Sequence, residues 1–492
     1  MLTIYETLIG LVVFLLIVQF LKLQWAHRHL PPGPTPFPIL GSLWQMNFKV
    51  DHDINLDPSM AEVYGNIFTL WLGHTPGVVL HGFQAVKDGL NTHLEEFSGQ
   101  LKTPFFKRFA NGKGITFSSG HIWKQQRRFG LMTLRKLGLG KKGLEHRIQE
   151  EARHLVEYFE TVKGKSLDPS VPIVHAVSNV ICAVVFGHRF SLEDETFHQL
   201  TEAFNCIFAF VNSFHFFLFE ILPWLMHHLP GPQQKVNSCC EFVRSFIRKE
   251  IRSHKERGIP DEPQDFIDFY LAQIAKAKND PASTYDEDNM NQSIFDLFLA
   301  GTETTATTLR WALLYMVAYP DIQEKVQKEL DTVLGPFQLI CYEDRKNLPY
   351  TNAVIHEIQR YCSIILITIP RESGKDTTLQ GFPIPKGTLI VPNLDSVLFD
   401  PEKWESPRQF NPSRFLDKEG NFMIREAFLP FLTGSRVCLE EQLARSELFI
   451  FFANLLRAFT FTLPKGVKEI STKLVVRITM QPEPYELCVV PR

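Results

Sequence analysis

One cysteine in front of an apolar helix constrains this chain more than any other feature of its sequence. A loop through Phe431, Gly434 and Arg436 leads to Cys438, and a strongly apolar helix is predicted over 439–457. A thiolate at a helix N-terminus meets unpaired N–H groups and the positive end of the helix dipole. We therefore expect Cys438 to have a low proton affinity and to be free to bind a metal. The alternative is a buried structural cysteine.

The residues around this cysteine suit a flat, acidic cofactor. Gly434 lets the backbone pass close beside such a group, Arg436 supplies a cation for its acidic edge, and Phe431 can shield the sulfur from water. The pattern Phe-x-x-Gly-x-Arg-x-Cys resembles the heme-binding signature of the cytochrome P-450 superfamily, the heme-thiolate monooxygenases. The resemblance covers nearly the whole chain. It implies heme b with Cys438 as the axial ligand.

The resemblance also implies a fold, and the chain departs from the family pattern at one position. It implies a mainly α-helical fold with a minor β-sheet region, preceded by an N-terminal transmembrane anchor helix. The family's signature ends in Cys-x-Gly, but this chain has Glu440 in place of that glycine. A carboxylate in a first helical turn is electrostatically favourable, so we expect the helix to form. Because the glycine lets the helix lie against the porphyrin, the glutamate must point away or push the helix back, which leaves open a change in heme affinity or redox potential.

The N-terminus is predicted to span a membrane. From Thr7 to Leu23 nearly every residue is apolar, and roughly 17 to 20 such residues suffice for a bilayer. A cleaved signal peptide is the alternative, but no Ala-x-Ala-like site follows the run, and the only charged side chain before it is Glu6. Arg28 lies on the C-terminal side, so the positive-inside rule places the large domain in the cytosol.

Three regions are predicted along the chain. Residues 1–30 form the signal anchor, 31–45 a stiff proline-rich hinge and 46–492 the catalytic domain. No Ser/Gly-rich linker or repeat divides the chain further. The net charge of −3 argues against nucleic acid as a general partner. The eight cysteines show no CxxC pair and indicate reduced thiols on the cytosolic side of a membrane.

A second motif lies in a buried helix that is predicted to begin near Met290. The sequence Ala-Gly-Thr-Glu-Thr at 300–304 places polar residues in an apolar helix, which is costly unless they act. Threonines there can bond back to carbonyls one turn earlier, so we expect a local bulge. The segment resembles the family's Ala-Gly-x-Asp/Glu-Thr motif, which implies that Thr304 hydrogen-bonds dioxygen and that Glu303 feeds a proton relay. A kink with packing value only is the alternative.

Further cations are expected at the acidic edge of the cofactor. Trp123 and Arg127 share a helix face at i, i+4, and together they suit a carboxylate. By resemblance this pair binds one heme propionate and Arg371 the other. A surface cation beside a core tryptophan is the alternative for the pair.

A structural network is expected behind the heme. Glu357 and Arg360 lie one turn apart on a helix predicted over 350–361, which alone is a weak signal. The resemblance adds Arg414 as the third member. We assign the three a structural role, because a buried ion pair that lacks one partner is strongly destabilised.

The substrate side is expected to be apolar. Ala300, Ile364, Leu366 and Ile367 are predicted to face the substrate, the last three in a strand over 364–369. The segment 204–230 is crowded with aromatic residues and, by resemblance, forms a lid that dips into the membrane. A core helix is its alternative interpretation.

A basic segment indicates an acidic partner. Between Lys124 and Arg147 the chain has a single acid, Glu145, and six cations: Arg127, Arg128, Arg135, Lys136, Lys141 and Lys142. A solvated face is the ordinary interpretation of such a run. Since it neighbours the proposed proximal side of the heme, the resemblance implies docking of NADPH-cytochrome reductase or cytochrome b5.

The sequence thus predicts a heme-thiolate monooxygenase of the endoplasmic reticulum membrane, most similar to microsomal family 2, subfamily J. It would use O2 and NADPH-derived electrons to hydroxylate or epoxidise lipophilic substrates, among them polyunsaturated fatty acids such as arachidonic acid, xenobiotics, and carotenoids or steroids. Three alternatives stay open. They are a heme-thiolate isomerase, which Glu303 and Thr304 disfavour, a heme-binding protein weakened by Glu440, and a membrane scaffold without heme.

Overall fold

The helices form the larger part of the structure, a computed structural model that describes residues 4–42, 58–138, 142–211, 213–335, 338–366, 368–477 and 479–492. The α-helices of these residues are α1 (Ile4–His27), α2 (Pro58–Tyr64), α3 (Gly82–Thr92), α4 (Pro104–Ala110), α5 (Gly120–Lys136), α6 (Lys142–Val162), α7 (Ser170–Val185), α8 (Glu195–Val211), α9 (Phe214–Ile221), α10 (Pro223–Met226), α11 (Pro232–Arg257), α12 (Phe266–Lys276), α13 (Glu287–Ala318), α14 (Pro320–Val333), α15 (Pro349–Cys362), α16 (Leu394–Leu398) and α17 (Glu441–Ala458). The mainly helical prediction is confirmed.

The strands are short and form small sheets at the edge of the helical body. They are β1 (Ile67–Leu72), β2 (Thr75–Leu80), β3 (Gly99–Gln100), β4 (Ser166–Leu167), β5 (Arg371–Glu372), β6 (Thr377–Leu379), β7 (Phe382–Ile384), β8 (Leu389–Pro392), β9 (Phe459–Thr462), β10 (Leu474–Val476), β11 (Met480–Pro482) and β12 (Leu487–Pro491). The largest sheet has the order β1-β2-β8-β5-β3, with β2 parallel to β8 and the other pairs antiparallel. This sheet carries Arg371 to the site.

The central element is α13, a helix of 32 residues that is buried on nearly all sides. The side chain of Asp286 caps its N-terminus by accepting a hydrogen bond from the Asn289 N–H at 2.7 Å. The helix packs on α7, α11, α15 and α17, which explains why its sequence is apolar all round. It is α-helical throughout, so the bulge expected in its middle is wrong.

One further prediction about local structure is wrong. The stretch 364–369 was expected to be a strand, but its described residues have no strand hydrogen-bond ladder, and the first strand after α15 is β5. The backbone there is held by other elements instead. The Met480 N–H donates to the Ile364 carbonyl at 2.8 Å, and the Leu394 N–H donates to the Leu366 carbonyl at 3.0 Å. Contacts between distant segments have replaced the local pattern.

The N-terminal helix α1 has the length and apolar character of a membrane span. Its most apolar window has a mean hydropathy of 2.3, and none of that window is buried against the rest of the protein. Within the described residues it is the one single helix with these properties, while α8 and α9 would reach them only as a bent pair. The apolar prediction for this segment is confirmed, and α1 is a candidate membrane anchor.

The proline-rich segment is attached to β1 rather than standing free. The Thr69 hydroxyl donates to the Pro31 carbonyl at 2.8 Å, and the Thr69 N–H donates to the Pro32 carbonyl at 2.8 Å. A Cβ at Gly33 would lie 2.1 Å from the Thr69 carbonyl oxygen, so the close approach requires glycine. The predicted boundary between residues 45 and 46 lies outside the described residues, and the three-part division stays a prediction.

Candidate active site

The loop that holds Cys438 is shaped by two residues with positive φ. Leu432 has φ 64° and Gly434 has φ 83°, and the Cys438 N–H donates to the Phe431 carbonyl at 3.1 Å, closing the turn. A Cβ at Gly434 would lie 2.8 Å from the Leu90 carbonyl oxygen. Gly434 is therefore required by its own positive φ and by the close approach of α3. These two requirements hold whether or not a cofactor also lies beside it.

Cys438 faces a space inside the protein. Its side chain is exposed, yet the surrounding protein desolvates it strongly enough to raise the pKa of its thiol to about 12, with the Glu440 charge as the next cause. These two observations agree if the thiol borders an enclosed space. The expected low proton affinity is wrong for the protein without metal, because burial outweighs the N-terminus of α17 three residues further on. A bound cation would reverse that balance, since a coordinated thiol loses its proton.

The opposite wall of this space is the middle of α13. Ala300 is exposed, although the residues on either side of this stretch of α13 are buried, and Thr304 one turn later is partly exposed. Glu440 links the two walls, because its Oε1 lies 3.1 Å from where a Cβ on Gly301 would be. From this approach we infer that Cys438 and the Ala300 face of α13 border the same internal space.

Arginines surround the cysteine loop. The Arg436 guanidinium lies 4.1 Å from the centre of the Trp123 ring and donates to the carbonyls of Ser98 at 2.7 Å and Ser118 at 2.6 Å. Arg127 donates to the Val437 carbonyl at 2.6 Å. The three carbonyls fix the guanidinium planes, and none of them carries the negative charge that would neutralise a cation.

Arg371 completes the group, which lacks an anion. It donates to Gln100 Oε1 at 3.2 Å, and neither it nor Arg127 nor Arg436 forms an ion pair with a carboxylate in the described ranges. Burial, followed by repulsion from Arg371 and Arg127, lowers the pKa of Arg436 to about 8. Since a guanidinium keeps its proton in proteins, an anionic ligand is needed to offset this cost.

The chemistry of this donor set fits heme. Heme carries two carboxylates on one edge and an iron that accepts an axial thiolate. Three cations, Arg371 buried and Arg127 and Arg436 half-buried, have no acidic partner among the described residues and match the carboxylates, and the thiol of Cys438 matches the iron. The residues predicted from the sequence for this purpose, Trp123, Arg127, Arg371 and Arg436, lie together in the structure.

Other cysteines fit this role less well. Cys341, for example, lies at the start of a 3-10 turn, where its Sγ is 3.6 Å from Gln149 Nε2 and 3.8 Å from the Leu339 carbonyl oxygen. Burial and the neighbouring Glu145 raise the pKa of its thiol. Acidic neighbours oppose a thiolate at both cysteines, since Glu440 and Glu441 lie near Cys438, but at Cys438 the Arg127 cation also favours one.

Thr304 and Glu303 point to different parts of the site. The Thr304 hydroxyl donates to the Ala300 carbonyl at 2.9 Å, as expected for a threonine one turn later. Glu303 Oε1 instead accepts hydrogen bonds from the hydroxyls of Thr479 at 2.9 Å and Thr307 at 3.3 Å, and from Gln481 Nε2. Burial raises the pKa of Glu303. The acid and the alcohol thus have no direct hydrogen bond among the described contacts, so a relay between them needs an intervening donor or a side-chain rotation.

The structure brings Glu357, Arg360 and Arg414 into one network. Arg360 Nε donates to Glu357 Oε2 at 2.7 Å, and Arg414 Nε donates to Glu357 Oε1 at 3.1 Å. Arg360 also donates to the Leu398 carbonyl at 2.9 Å. Glu357 and Arg360 are completely buried. The network ties α15 to the segment before the cysteine loop, and its geometry suits the structural role assigned to it.

Glu440 lies where the departure from the family pattern has the most effect. Its side chain is 7% exposed, and Oε1 has no hydrogen-bond partner among the described residues. Burial, followed by the Asp296 charge, raises the pKa of Glu440 to about 8. Gly301, facing it, is closely packed by Ile181 on the other side. The glutamate therefore points inward, toward α13. Helix α17 begins at Glu441, two residues later than the helix predicted over 439–457.

Replacing Glu440 with glycine is expected to leave heme binding unchanged or to improve it. The change removes a buried, unpartnered carboxyl group, which costs about 1–3 kcal/mol. Thermal unfolding and heme content of the purified protein measure the effect. Glu440→Gln is the matched control, because it keeps the size of the side chain and removes only the acid. Loss of heme in the glycine variant would show that the glutamate is part of the site.

The substrate side is only partly described. Ala300, Ile364 and Leu366 have accessible side chains, in keeping with a pocket wall. Ile367 lies outside the described residues. The segment 204–230 folds into α8, α9 and α10, with Phe204 buried and Trp224 69% exposed. One stretch thus supplies both core contacts and an exposed aromatic tip.

Several site residues could not be read from the sequence. The carbonyls of Ser98 and Ser118 hold Arg436, and backbone groups leave no residue-type signal. Thr479 and Gln481 hold Glu303 from about 176 residues away in the chain. Their only signal is polarity in an otherwise apolar strand edge, which is weak by itself.

Comparison with known proteins agrees with this geometry. The family model described as Cytochrome P450 matches residues 31–489. The chain is 44% identical to human cytochrome P450 2J2 over 486 residues, which are 99% of this chain and 96% of that protein. It is 42% identical to mouse cytochrome P450 2J5 over 98% of this chain and 95% of that one. It is also 41% identical to rabbit cytochrome P450 2C14, over 94% of each.

These matches confirm the predicted superfamily, the family 2 assignment and the similarity to subfamily J. They also confirm heme ligated by a cysteine thiolate as the cofactor that membership implies. The chain therefore belongs to the cytochrome P450 family, the heme-thiolate monooxygenases.

Proposed function

We propose that this monooxygenase hydroxylates or epoxidises lipophilic substrates, with polyunsaturated fatty acids as the leading class, and that it works at the endoplasmic reticulum membrane with its catalytic domain in the cytosol. One observation carries the proposal. A cysteine thiol lies beside three arginines without an acidic partner among the described residues, one buried and two half-buried, and close to the stretch of α13 that carries the accessible Ala300.

Different residues of the chain would bind different parts of the heme. Cys438 would bind the iron, and Arg127, Arg371, Arg436 and Trp123 would hold the two carboxylates and fix the orientation of the ring. Once bound, the heme supplies the activation of dioxygen, helped by electron density from the thiolate. Gly434 and Phe431 shape the loop around the sulfur.

Thr304 and Glu303 would position and carry the protons that the reaction needs. The Thr304 hydroxyl lies on the accessible face of α13, where it can hold a water or an oxygen atom near the cofactor. Burial raises the pKa of Glu303, which favours its protonated form and suits it to carry a proton. A peroxide isomerase has no need of such a pair, which disfavours that alternative.

Replacing Thr304 with alanine is expected to divert electrons from product to peroxide. The hydroxyl that positions the proton donor is lost, and a positioned acid–base group is worth about 10²–10⁴ in rate. We expect product formed per NADPH to fall about tenfold, because a water can partly replace the hydroxyl. Thr304→Ser, which keeps the hydroxyl, is the control. Unchanged coupling in the alanine variant would place the proton relay elsewhere.

The substrate class is supported by apolar surfaces. α1 is an exposed apolar helix, and the segment of α9 and α10 exposes Phe214 and Trp224. These surfaces suit a protein that takes its substrate from a bilayer. Product analysis with reductase, NADPH and a panel of lipids tests the class, and oxidation of water-soluble compounds alone would contradict it.

The basic surface is proposed as the docking site for NADPH-cytochrome reductase, with cytochrome b5 as a further partner. Arg128, Arg135 and Lys136 are exposed on α5, whose inner face carries Trp123 toward the site. Arg128 and Arg135 form no ion pair within the described part of the chain. Lys141 and the side chain of Lys142 lie outside the described residues.

Reversing charge on this surface is expected to weaken reduction by the reductase. Arg128→Glu with Arg135→Glu replaces attraction by repulsion, and we expect about tenfold slower electron transfer at low ionic strength. Reduction by dithionite should be unaffected, since it needs no docking. Lys249→Glu on α11, which packs on α8 and α13, is the matched control. Equal rates in the double variant and the control would place docking on another face.

A weakened heme-binding protein is a second candidate, favoured by the unpartnered Glu440 carboxyl. It would bind heme through Cys438 and turn over slowly. Restored turnover in Glu440→Gly would support that reading over the first.

A further inference from the structure

A pocket lies on the surface between the end of α4, the second half of α11 and the first turns of α13, and we call it the α4–α11 pocket. Its volume is about 470 Å³, which is within the range of about 300–1,000 Å³ that is typical of small-molecule sites. Asn291 lines it from α13. Since Asn291 precedes Ala300 by roughly 14 Å along the helix axis, the pocket is separate from the candidate active site.

The charges that line the α4–α11 pocket are mostly positive. Its three acids are Glu241, Glu287 and Asp288. Its six cations are Arg108, Lys113, Arg244, Arg248, Arg252 and Lys255. The side chains around this one space therefore have a surplus of three positive charges. Cations gathered in this way repel one another unless an anion lies between them.

Four of these cations form a row on α11. Residues 244, 248 and 252 are spaced by four and residue 255 follows after three, so all of them lie on one face of the helix. The row is roughly 16 Å long. Like charges at this spacing destabilise a helix, and Glu241 is the one acid of α11 among the described residues that line the pocket. A bound anion would offset this cost.

The acids neutralise the row only in part. Glu241 pairs with Arg244 at 3.2 Å and also with Arg248 at 3.0 Å. The two other acids, on α13, each pair with one lysine. Arg252 is exposed and forms no ion pair within the described part of the chain. Two arginines thus share one carboxylate and a third has none, so the free positive charge lies along the arginines of α11.

Arg244 is fixed in position before any ligand binds. Its side chain is 19% exposed, and its guanidinium donates to the Phe109 carbonyl and lies 5.8 Å from the centre of the Phe109 ring and 5.6 Å from that of Phe295. Asn291 Nδ2 donates to the Arg244 carbonyl at 3.2 Å. A cation that is already ordered loses less entropy on binding an anion. Arginines also match the geometry of phosphate oxygens with two parallel hydrogen bonds.

Arg108 lines the pocket from α4, opposite the row. Its Nη1 lies 2.6 Å from His227 Nε2, and it has no carboxylate partner among the described contacts. His227 directly follows α10, whose Trp224 is 69% exposed. The rim of the pocket therefore lies one helical turn from an exposed aromatic side chain of the kind that contacts a bilayer surface.

We propose that the α4–α11 pocket binds a phosphate monoester through Arg108, Arg248 and Arg252, beside the fixed cation of Arg244. A phosphate monoester carries about 1.5 to 2 negative charges at neutral pH, so it offsets most of the surplus, whereas a carboxylate offsets a single charge. The pocket is larger than a phosphate group, which leaves room for the group that carries it. An anionic phospholipid and a soluble metabolite both present this chemistry.

Calorimetric titration of the heme-loaded, full-length protein in detergent tests the site with two probes. Glycerol 3-phosphate represents the soluble source, with glycerol as its control. Dihexanoyl phosphatidic acid represents the lipid source, with dihexanoyl phosphatidylcholine, which has no net charge, as its control. We expect a phosphate probe to bind more tightly than its control, and less tightly at high salt.

The two probes distinguish the sources. Equal affinities for glycerol 3-phosphate and phosphatidic acid would support a soluble ligand, because the lipid chains then add nothing. Tighter binding of phosphatidic acid would support a lipid headgroup. If both phosphate probes bind no better than their controls, the proposal is overturned.

Variants show whether the α4–α11 pocket is where the phosphate binds. Arg252→Gln and Arg108→Gln each remove one exposed cation, and we expect about tenfold weaker binding in each. Lys249→Gln is the matched control, because it removes a cation from α11 that does not line the pocket. The reduced, CO-treated spectrum checks that each variant keeps its heme. Equal losses in Lys249→Gln and the two arginine variants would mean general attraction to a cationic surface, and would overturn the proposal.

Discussion

Cys438→Ser is expected to abolish the absorption band at about 450 nm that a thiolate-ligated heme gives when reduced and treated with CO. Serine keeps the size of the side chain, but its hydroxyl is a poor ligand for heme iron. The loop hydrogen bond from the Cys438 N–H to the Phe431 carbonyl uses only backbone atoms and should survive the change. We therefore expect a folded, membrane-bound protein without the band.

The matched control is Cys341→Ser. Cys341 is partly accessible, but it lies beside Glu145, whose carboxylate raises the pKa of its thiol. Its replacement should leave the band at full height. If the band persists in Cys438→Ser, or is lost in Cys341→Ser, another cysteine is the ligand and the site described above is misplaced.

Glu357→Ala is expected to have the largest effect on stability. The change leaves the completely buried Arg360 and the nearly buried Arg414 without their carboxylate. Removing one partner of a buried ion pair costs about 3–5 kcal/mol, a large part of the stability of a typical protein. We expect little soluble, heme-loaded protein, and a lower midpoint in chemical unfolding of what remains.

Glu343→Ala is the control for this effect. Glu343 pairs with Arg345 and Lys346 on the surface, where its side chain is 65% exposed. Exposed pairs contribute about 0–1 kcal/mol, so this variant should unfold like the parent. Equal midpoints for Glu357→Ala and Glu343→Ala would contradict a structural role for the buried network.

Local patterns predicted the elements of the fold better than their contacts. The apolar run of α13 lies close to where the pattern placed it, because burial on nearly all sides leaves a clear apolar signal. The strand expected over 364–369 does not form, since its carbonyls are taken by the residues Met480 and Leu394 from distant segments. Such partners leave no mark in the local sequence.

In the site, too, the residue types were predicted better than their contacts. The residue types around Cys438 pointed to the correct chemistry, and the arginines expected for an acidic cofactor lie together. The acidity of Cys438 was wrong because desolvation depends on the whole surrounding fold, while the helix dipole acts only locally. The partners of Glu303 were missed because Thr479 and Gln481 come from β11 and the residue before it.

The central claim is that Cys438 ligates heme iron inside the space between the cysteine loop and α13. The most direct test is the spectrum of the purified, unmodified protein after heme loading, reduction and addition of CO. The account predicts about one heme per chain and a band at about 450 nm. A protein that stays colourless under conditions that load heme into its relatives would contradict it.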